Sequence, residues 1–108
     1  DEAALLDFSR QHKYEESVAA LAALTGMRLN VVNQLMLGDR YDPVLLLGKS
    51  IGLEWATVRA VLVLRLGPGR VASSPDIEEA RINYERLSPA TAQRVLTFWR
   101  LRDNGKSA

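Results

Sequence analysis

Apolar residues recur three and four positions apart along almost the whole chain, and glycine or proline interrupts the pattern at intervals. Asp42-Pro43, Ser74-Pro75 and Ser88-Pro89 each set a capping side chain before a proline whose fixed φ suits the first helical position, so a helix is predicted to start at each. Gly26, Gly38, Gly52 and Gly67 each follow an apolar-periodic run, which is the place of the left-handed residue that closes a helix. The spacing predicts helices over 2–11, 14–25, 29–37, 43–51, 54–66, 75–86 and 89–102, and no strand. The stretch 67–74 is the one extended irregular segment, a linker or flexible crossover. From Trp55 to Leu66 only Arg59 and Arg65 are charged. A helix apolar almost all round is normally central, so Val58, Val61 and Leu62 are expected to be nearly inaccessible.

Sliding the chain on itself by 26 residues aligns Val18, Leu21, Gly26, Met27, Leu29, Val32, Leu35 and Met36 with Val44, Leu47, Gly52, Leu53, Trp55, Val58, Val61 and Leu62. Two helical hairpins follow, over 17–37 and 43–66. In each, a helix ends at the glycine, an apolar residue plugs the turn, and the second helix returns with anchors facing the first. A weaker third copy sets Leu87, Ala92, Val95 and Leu96 against Met27, Val32, Leu35 and Met36, with Arg86 where the glycine would stand. The expected architecture is a single all-α domain over 1–108, about seven helices in repeated hairpins, with a C-terminal hairpin over 75–102. Hairpins that share one continuous core are the logic of helical repeat proteins, which mostly serve as binding scaffolds.

The segments from Ala22 to Arg65 and from Leu87 to Arg102 carry a family resemblance, most specifically Gly38-Asp39-Arg40-Tyr41-Asp42-Pro43 and Ser88-Pro89-Ala90-Thr91-Ala92-Gln93-Arg94. Over about residues 17–102 the chain resembles the C-terminal part of an uncharacterised, mostly alphaproteobacterial family of HEAT-like α-helical domains of unknown function. The resemblance implies a helical repeat fold, a bacterial cytoplasmic setting and a chain that is one part of a longer protein. It implies no activity.

Composition narrows the chemistry. The chain has 108 residues, enough to bury one core without metals or disulfides. It has no cysteine, so disulfides and Cys-based metal or redox sites are excluded. Apolar runs such as Val61 to Leu64 are far too short to span a bilayer, and the acidic start Asp1-Glu2 does not resemble a signal peptide. No membrane segment is expected, and the cytoplasm is the default setting. Net charge is +1, so no global field recruits nucleic acid or acidic lipid. The charge is unevenly spread: residues 1–42 hold seven acids and four bases, and 86–108 hold one acid and five bases, namely Arg86, Arg94, Arg100, Arg102 and Lys106.

No catalytic apparatus is legible, and no cofactor or metal site is expected. His12 is the only histidine and has no ligand partners at metal spacing. Gly48-Lys49-Ser50 matches the end of a phosphate-binding loop, but Pro43 stands where the first glycine is required and the segment reads as helix. The pairs Glu15-Glu16 and Glu78-Glu79 fall in the first turns of predicted helices, where carboxylates complement the dipole. Ser74 and Ser88 serve as caps.

Binding remains. The first hairpin also fits the DNA-binding helix-turn-helix pattern, with Ala22, Gly26, Met27, Val32 and Leu35 at the small, turn, plug and anchor positions. Its second helix would then offer Arg28, Asn30, Asn33 and Gln34 to phosphates or base edges. The acidic flanks and near-zero net charge disfavour nucleic acid. Trp55 aligns with Leu29 and reads as a core anchor. On the last helix Ala92, Val95, Leu96 and Trp99 share a stripe from which Phe98 departs, so an exposed aromatic, Phe98 or Trp99, is expected near Arg94, Arg100 and Arg102. Arg94, Phe98, Trp99 and Arg102 are therefore the candidate partner-binding residues, suited to a protein, to a second copy of the chain or to single-stranded nucleic acid. The sequence is read as a non-enzymatic protein-interaction or signalling scaffold, with helix-turn-helix DNA binding as the second reading.

Overall fold

Each stretch with helical hydrophobic spacing is a helix in the computed structural model, which describes residues 1–66 and 74–106. In chain order the helices are α1 (Glu2–Arg10), α2 (Tyr14–Thr25), α3 (Leu29–Leu37), α4 (Asp42–Ser50), α5 (Trp55–Leu66), α6 (Ser74–Arg86) and α7 (Pro89–Lys106). Among the described residues there is no strand. Apart from Ser74, which opens α6, the predicted linker 67–74 lies outside the described residues, as does the predicted stop at Gly67. The radius of gyration is 13.2 Å, against roughly 13 Å expected for a compact chain of this length.

Three turns close by the same bond. The N–H of Lys13 donates to the Phe8 carbonyl at 2.9 Å, that of Met27 to Ala22 at 3.2 Å and that of Leu53 to Gly48 at 2.9 Å. A bond reaching five residues back requires a left-handed residue just before the donor, and His12, Gly26 and Gly52 occupy that place with φ of 57°, 68° and 75°. The α2–α3 and α4–α5 turns, 26 residues apart, thus share both the positive φ and the closing bond. Burial follows the same offset. Val18, Leu21, Val32 and Met36 are all 3% exposed or less, and their counterparts Val44, Leu47, Val58 and Leu62 are 4% or less. At the small position, Gly48 lies so close to α5 that a Cβ there would stand 2.8 Å from Val58 Cγ2.

α5 packs against α1, α2, α4 and α6, while α7 lies along α4. Val58, Val61 and Leu62 are nearly inaccessible, as the apolar run from Trp55 predicts. Sequence-distant charged side chains close the helix ends. Oε2 of Glu2 accepts from the Glu54 N–H at 3.0 Å and the Thr57 hydroxyl at 2.6 Å, which sets a carboxylate on the N-terminus of α5. Arg65, at the far end of α5, donates from Nε to the Met36 carbonyl at 3.2 Å and from Nη2 to the carbonyls of Gly38 and Arg40, the latter at 3.1 Å. Arg100 donates from Nε, at 3.0 Å, and from Nη2 to the Thr25 carbonyl at the end of α2.

Four sequence expectations are corrected. Gly38 is extended, with φ −66° and ψ 163°, because Arg65 supplies the donors that a left-handed turn would otherwise bring to the last carbonyls of α3. Asp42 does not cap α4: the helix begins at Asp42 itself, and its carboxylate accepts from Arg40 Nε at 2.9 Å. Glu78 and Glu79 fall beyond the first turn of α6, whose acid there is Asp76, and Glu78 pairs with Arg81. Trp55 is half-buried rather than a core anchor, its ring 5.9 Å from that of Tyr84. The cap at Ser88 holds, its Oγ accepting from the Thr91 N–H at 3.4 Å.

Tyr84 fastens α6 to the rest. It is buried, donates to the Leu53 carbonyl at 2.6 Å and lies beneath the Lys49 ammonium, 4.5 Å from the ring centre. Burial first, and then the charge of Glu2, push its phenol up to about 12. A phenol whose folded pKa is raised contributes stability that is fully present below the unfolded pKa of about 10 and is lost as pH climbs through the folded value. Alkaline titration is therefore expected to lower the free energy of unfolding between those values. In Tyr84→Phe the titration of this residue is removed, and the loss of stability across that window should shrink. An unchanged pH slope in the variant would contradict the assignment.

A candidate docking groove on the first hairpin

α3 turns Val32 and Met36 into the core, which leaves positions 30, 33 and 37 on an outer face, joined at the open start of the helix by Leu29. Leu29 and Leu37 on that face are 56% and 69% exposed. From α2, Tyr14, Glu15 and Val18 form the facing wall, and with Leu29, Asn30, Asn33 and Leu37 they enclose a groove of about 600 Å³. The Tyr14 hydroxyl donates to Asn33 Oδ1 at 2.8 Å, bridging the two walls. Partial burial raises the Tyr14 pKa, and the charge of Arg65 opposes that shift. Glu15 is the groove's charged lining residue, and the exposed Glu16 follows it.

The four residues expected to face DNA divide here. Asn30 and Asn33 line the groove, Arg28 and Gln34 are exposed beside it, and the Asn33 side chain is held by Tyr14. In the second hairpin the returning helix α5 packs against four other helices, and Ala56 and Arg59 are its exposed residues among those whose burial is described.

α7 carries a second open surface. Phe98 is 60% exposed and Leu101 66%, with the exposed Arg94 and Arg102 on the same stripe at i, i+4, i+7 and i+8. Trp99 does not join them. It is half-buried against the core beyond Leu96, on the stripe that it shares with Ala92 and Val95. Of the basic cluster, Arg100 turns inward to the Thr25 carbonyl. Sequence reading missed Leu101, Tyr14 and the outward setting of Leu29. Leu101 could have been found by extending the period from Phe98. Tyr14 could not, because its partner lies on another helix.

Gly48-Lys49-Ser50 is within α4, and the Ser50 hydroxyl donates to the Leu47 carbonyl at 2.7 Å. Among the described residues no three His, Asp or Glu side chains gather as a metal ion requires, and no helix is long and apolar enough to cross a membrane.

The chain belongs to a family described as an uncharacterised protein conserved in bacteria (DUF2336), which matches residues 1–97. No curated protein and no solved structure matches it. The match extends N-terminally beyond the stretch that carried the resemblance in sequence and takes in α1, whose Glu2 closes the N-terminus of α5.

Proposed function

We propose that this bacterial family member is a helical-repeat protein-interaction or signalling scaffold, HEAT-like in its stacked hairpins, cytoplasmic and without catalysis of its own. Its docking site is the groove between α2 and α3, and its occupant is a helical segment of a protein. One observation carries this reading: two leucines, more than half exposed, flank an apolar groove that no other helix of the described residues fills. Exposed apolar side chains gathered in a concave surface are what helix-in-groove recognition uses. The matched turns and burial of the first two hairpins support the repeat, because they follow one offset through both backbone and core.

Helix-turn-helix DNA binding is the second reading, favoured by the exposure of Arg28, Asn30 and Gln34 at the start of α3. The groove's chemistry speaks against it. Its charged lining group is a carboxylate, and phosphate contacts need cations in that place. The second hairpin carries the same pattern at Gly48, Gly52, Leu53, Val58 and Val61, yet its returning helix packs against four others, so the pattern reports hairpin geometry.

Two measurements separate these readings. Titration with duplex DNA at low ionic strength is expected to show no salt-sensitive binding tighter than about micromolar. Affinity capture from the native cell is expected to return a protein with the parent chain and to lose it with Leu29→Asp and Leu37→Asp. Salt-sensitive duplex binding that disappears in Arg28→Ala or Asn33→Ala would overturn the scaffold reading in favour of DNA.

A further inference from the structure

We propose that the α2–α3 groove takes the exposed α7 face of a second copy of this chain, so that copies associate head to tail. The inference rests on the reading of the groove as a protein-docking site and names its occupant.

The two surfaces match in length, chemistry and charge. Leu29 and Leu37 are eight residues apart along α3, as are Arg94 and Arg102 along α7, and eight residues of helix span about 12 Å. Between its two arginines the α7 stripe presents Phe98 and Leu101, a pair of large apolar side chains that are majority-exposed in the single copy. The groove presents the complementary concavity, apolar along the leucines and with its Tyr14–Asn33 bridge already made. Its charged lining group is the carboxylate of Glu15, whereas the α7 stripe carries two guanidinium groups and no acid. The remaining arginine of this part of α7, Arg100, is committed to the Thr25 carbonyl and holds α7 against the first hairpin. α7 is thus fixed in place with its outer stripe free to enter a neighbour.

The groove and the stripe share no residue, so one copy can offer both at once. Such an interface is heterologous: it joins unlike patches, and it closes into a ring or extends as a chain according to the rotation it imposes. One groove and one helix face make a small interface, so the association is expected to be weak, around micromolar or above, and sensitive to salt.

The experiment uses the full chain in sedimentation velocity, from micromolar to millimolar concentration and at two salt concentrations. The mean mass of the parent is expected to rise with concentration and to fall on adding salt. Phe98→Asp removes the knob and Leu37→Asp spoils the groove. Both positions are exposed, so circular dichroism and melting should report a folded chain in each variant. Each alone is expected to associate at least about tenfold more weakly than the parent. Mixed in equal amounts, the two variants are expected to form a heterodimer and nothing larger, because each retains one good surface. A parent that stays monomeric at millimolar concentration, a variant that associates as the parent does, or a mixture that forms no heterodimer overturns the proposal. If the parent is monomeric but Leu37→Asp still abolishes capture of a different protein, only the self-association fails. If capture is also indifferent to Leu37→Asp, the groove reading falls with it.

Discussion

Leu62→Ala is expected to lower the free energy of unfolding by about 2–5 kcal/mol, the range for emptying a leucine side chain from a packed core. Leu62 is 4% exposed on α5. That helix touches four others, so the surroundings have little freedom to collapse into the space. For a domain whose whole stability is about 5–15 kcal/mol, the loss would be a large share of the total. Denaturant unfolding followed by circular dichroism measures it. A variant whose midpoint matches the parent would mean that α5 is peripheral and that the core lies elsewhere.

The second large effect is expected at Arg65. Its guanidinium serves the carbonyls of Met36, Gly38 and Arg40, which would otherwise be left at the end of α3 without these donors. Arg65→Met keeps the length of the stem and removes every donor, and the expected cost is about 1.5–3 kcal/mol, the range for hydrogen bonds to a charged group. Arg65→Lys, which retains one charge and loses the planar fork, should cost less. Hydrogen exchange should locate the damage in the last turn of α3, beside Leu37 and the mouth of the groove. If Arg65→Met leaves both the unfolding free energy and the exchange of α3 unchanged, the carbonyls are satisfied without the arginine.

What could be read in the sequence was local. Helix bodies were legible because apolar spacing and the punctuation by Pro43, Pro89, Gly26 and Gly52 act within a few residues of where they are read. The α1–α2 turn was not legible, since it closes through His12 in the left-handed conformation and no glycine announces it. The long-range closures were not legible at all. Glu2 and Thr57 are 55 positions apart, and Arg100 and Thr25 are 75 apart. Neither spacing carries a periodic signal. Gly38 was misread for the same reason, because its role depends on Arg65, which lies 27 residues further along.

The candidate site was legible by halves. The outward face of α3 follows from helix geometry once Val32 and Met36 are assigned to the core, and Asn30, Asn33 and Leu37 appear on it. The opposing wall does not follow, because how α2 lies against α3 is set by packing, and the Tyr14–Asn33 bond is its product. On α7 the period sets Trp99 and Phe98 on different faces, and packing decides that Phe98 is the exposed one. The basic residues around them looked alike in sequence, and only the fold distinguishes Arg100, which donates to the Thr25 carbonyl, from Arg94 and Arg102 on the outer stripe.

The central claim is that the groove between α2 and α3 receives a protein. Site-specific photo-crosslinking in the native cell tests it most directly, with the reactive residue placed at Leu37 on the lip of the groove or, as a control, at Ile82 on α6, which is 37% exposed. The predicted result is a discrete protein adduct from position 37, absent from position 82 and lost when Leu29→Asp is added. A nucleic-acid adduct from position 37, or the same diffuse background from both positions, would contradict it.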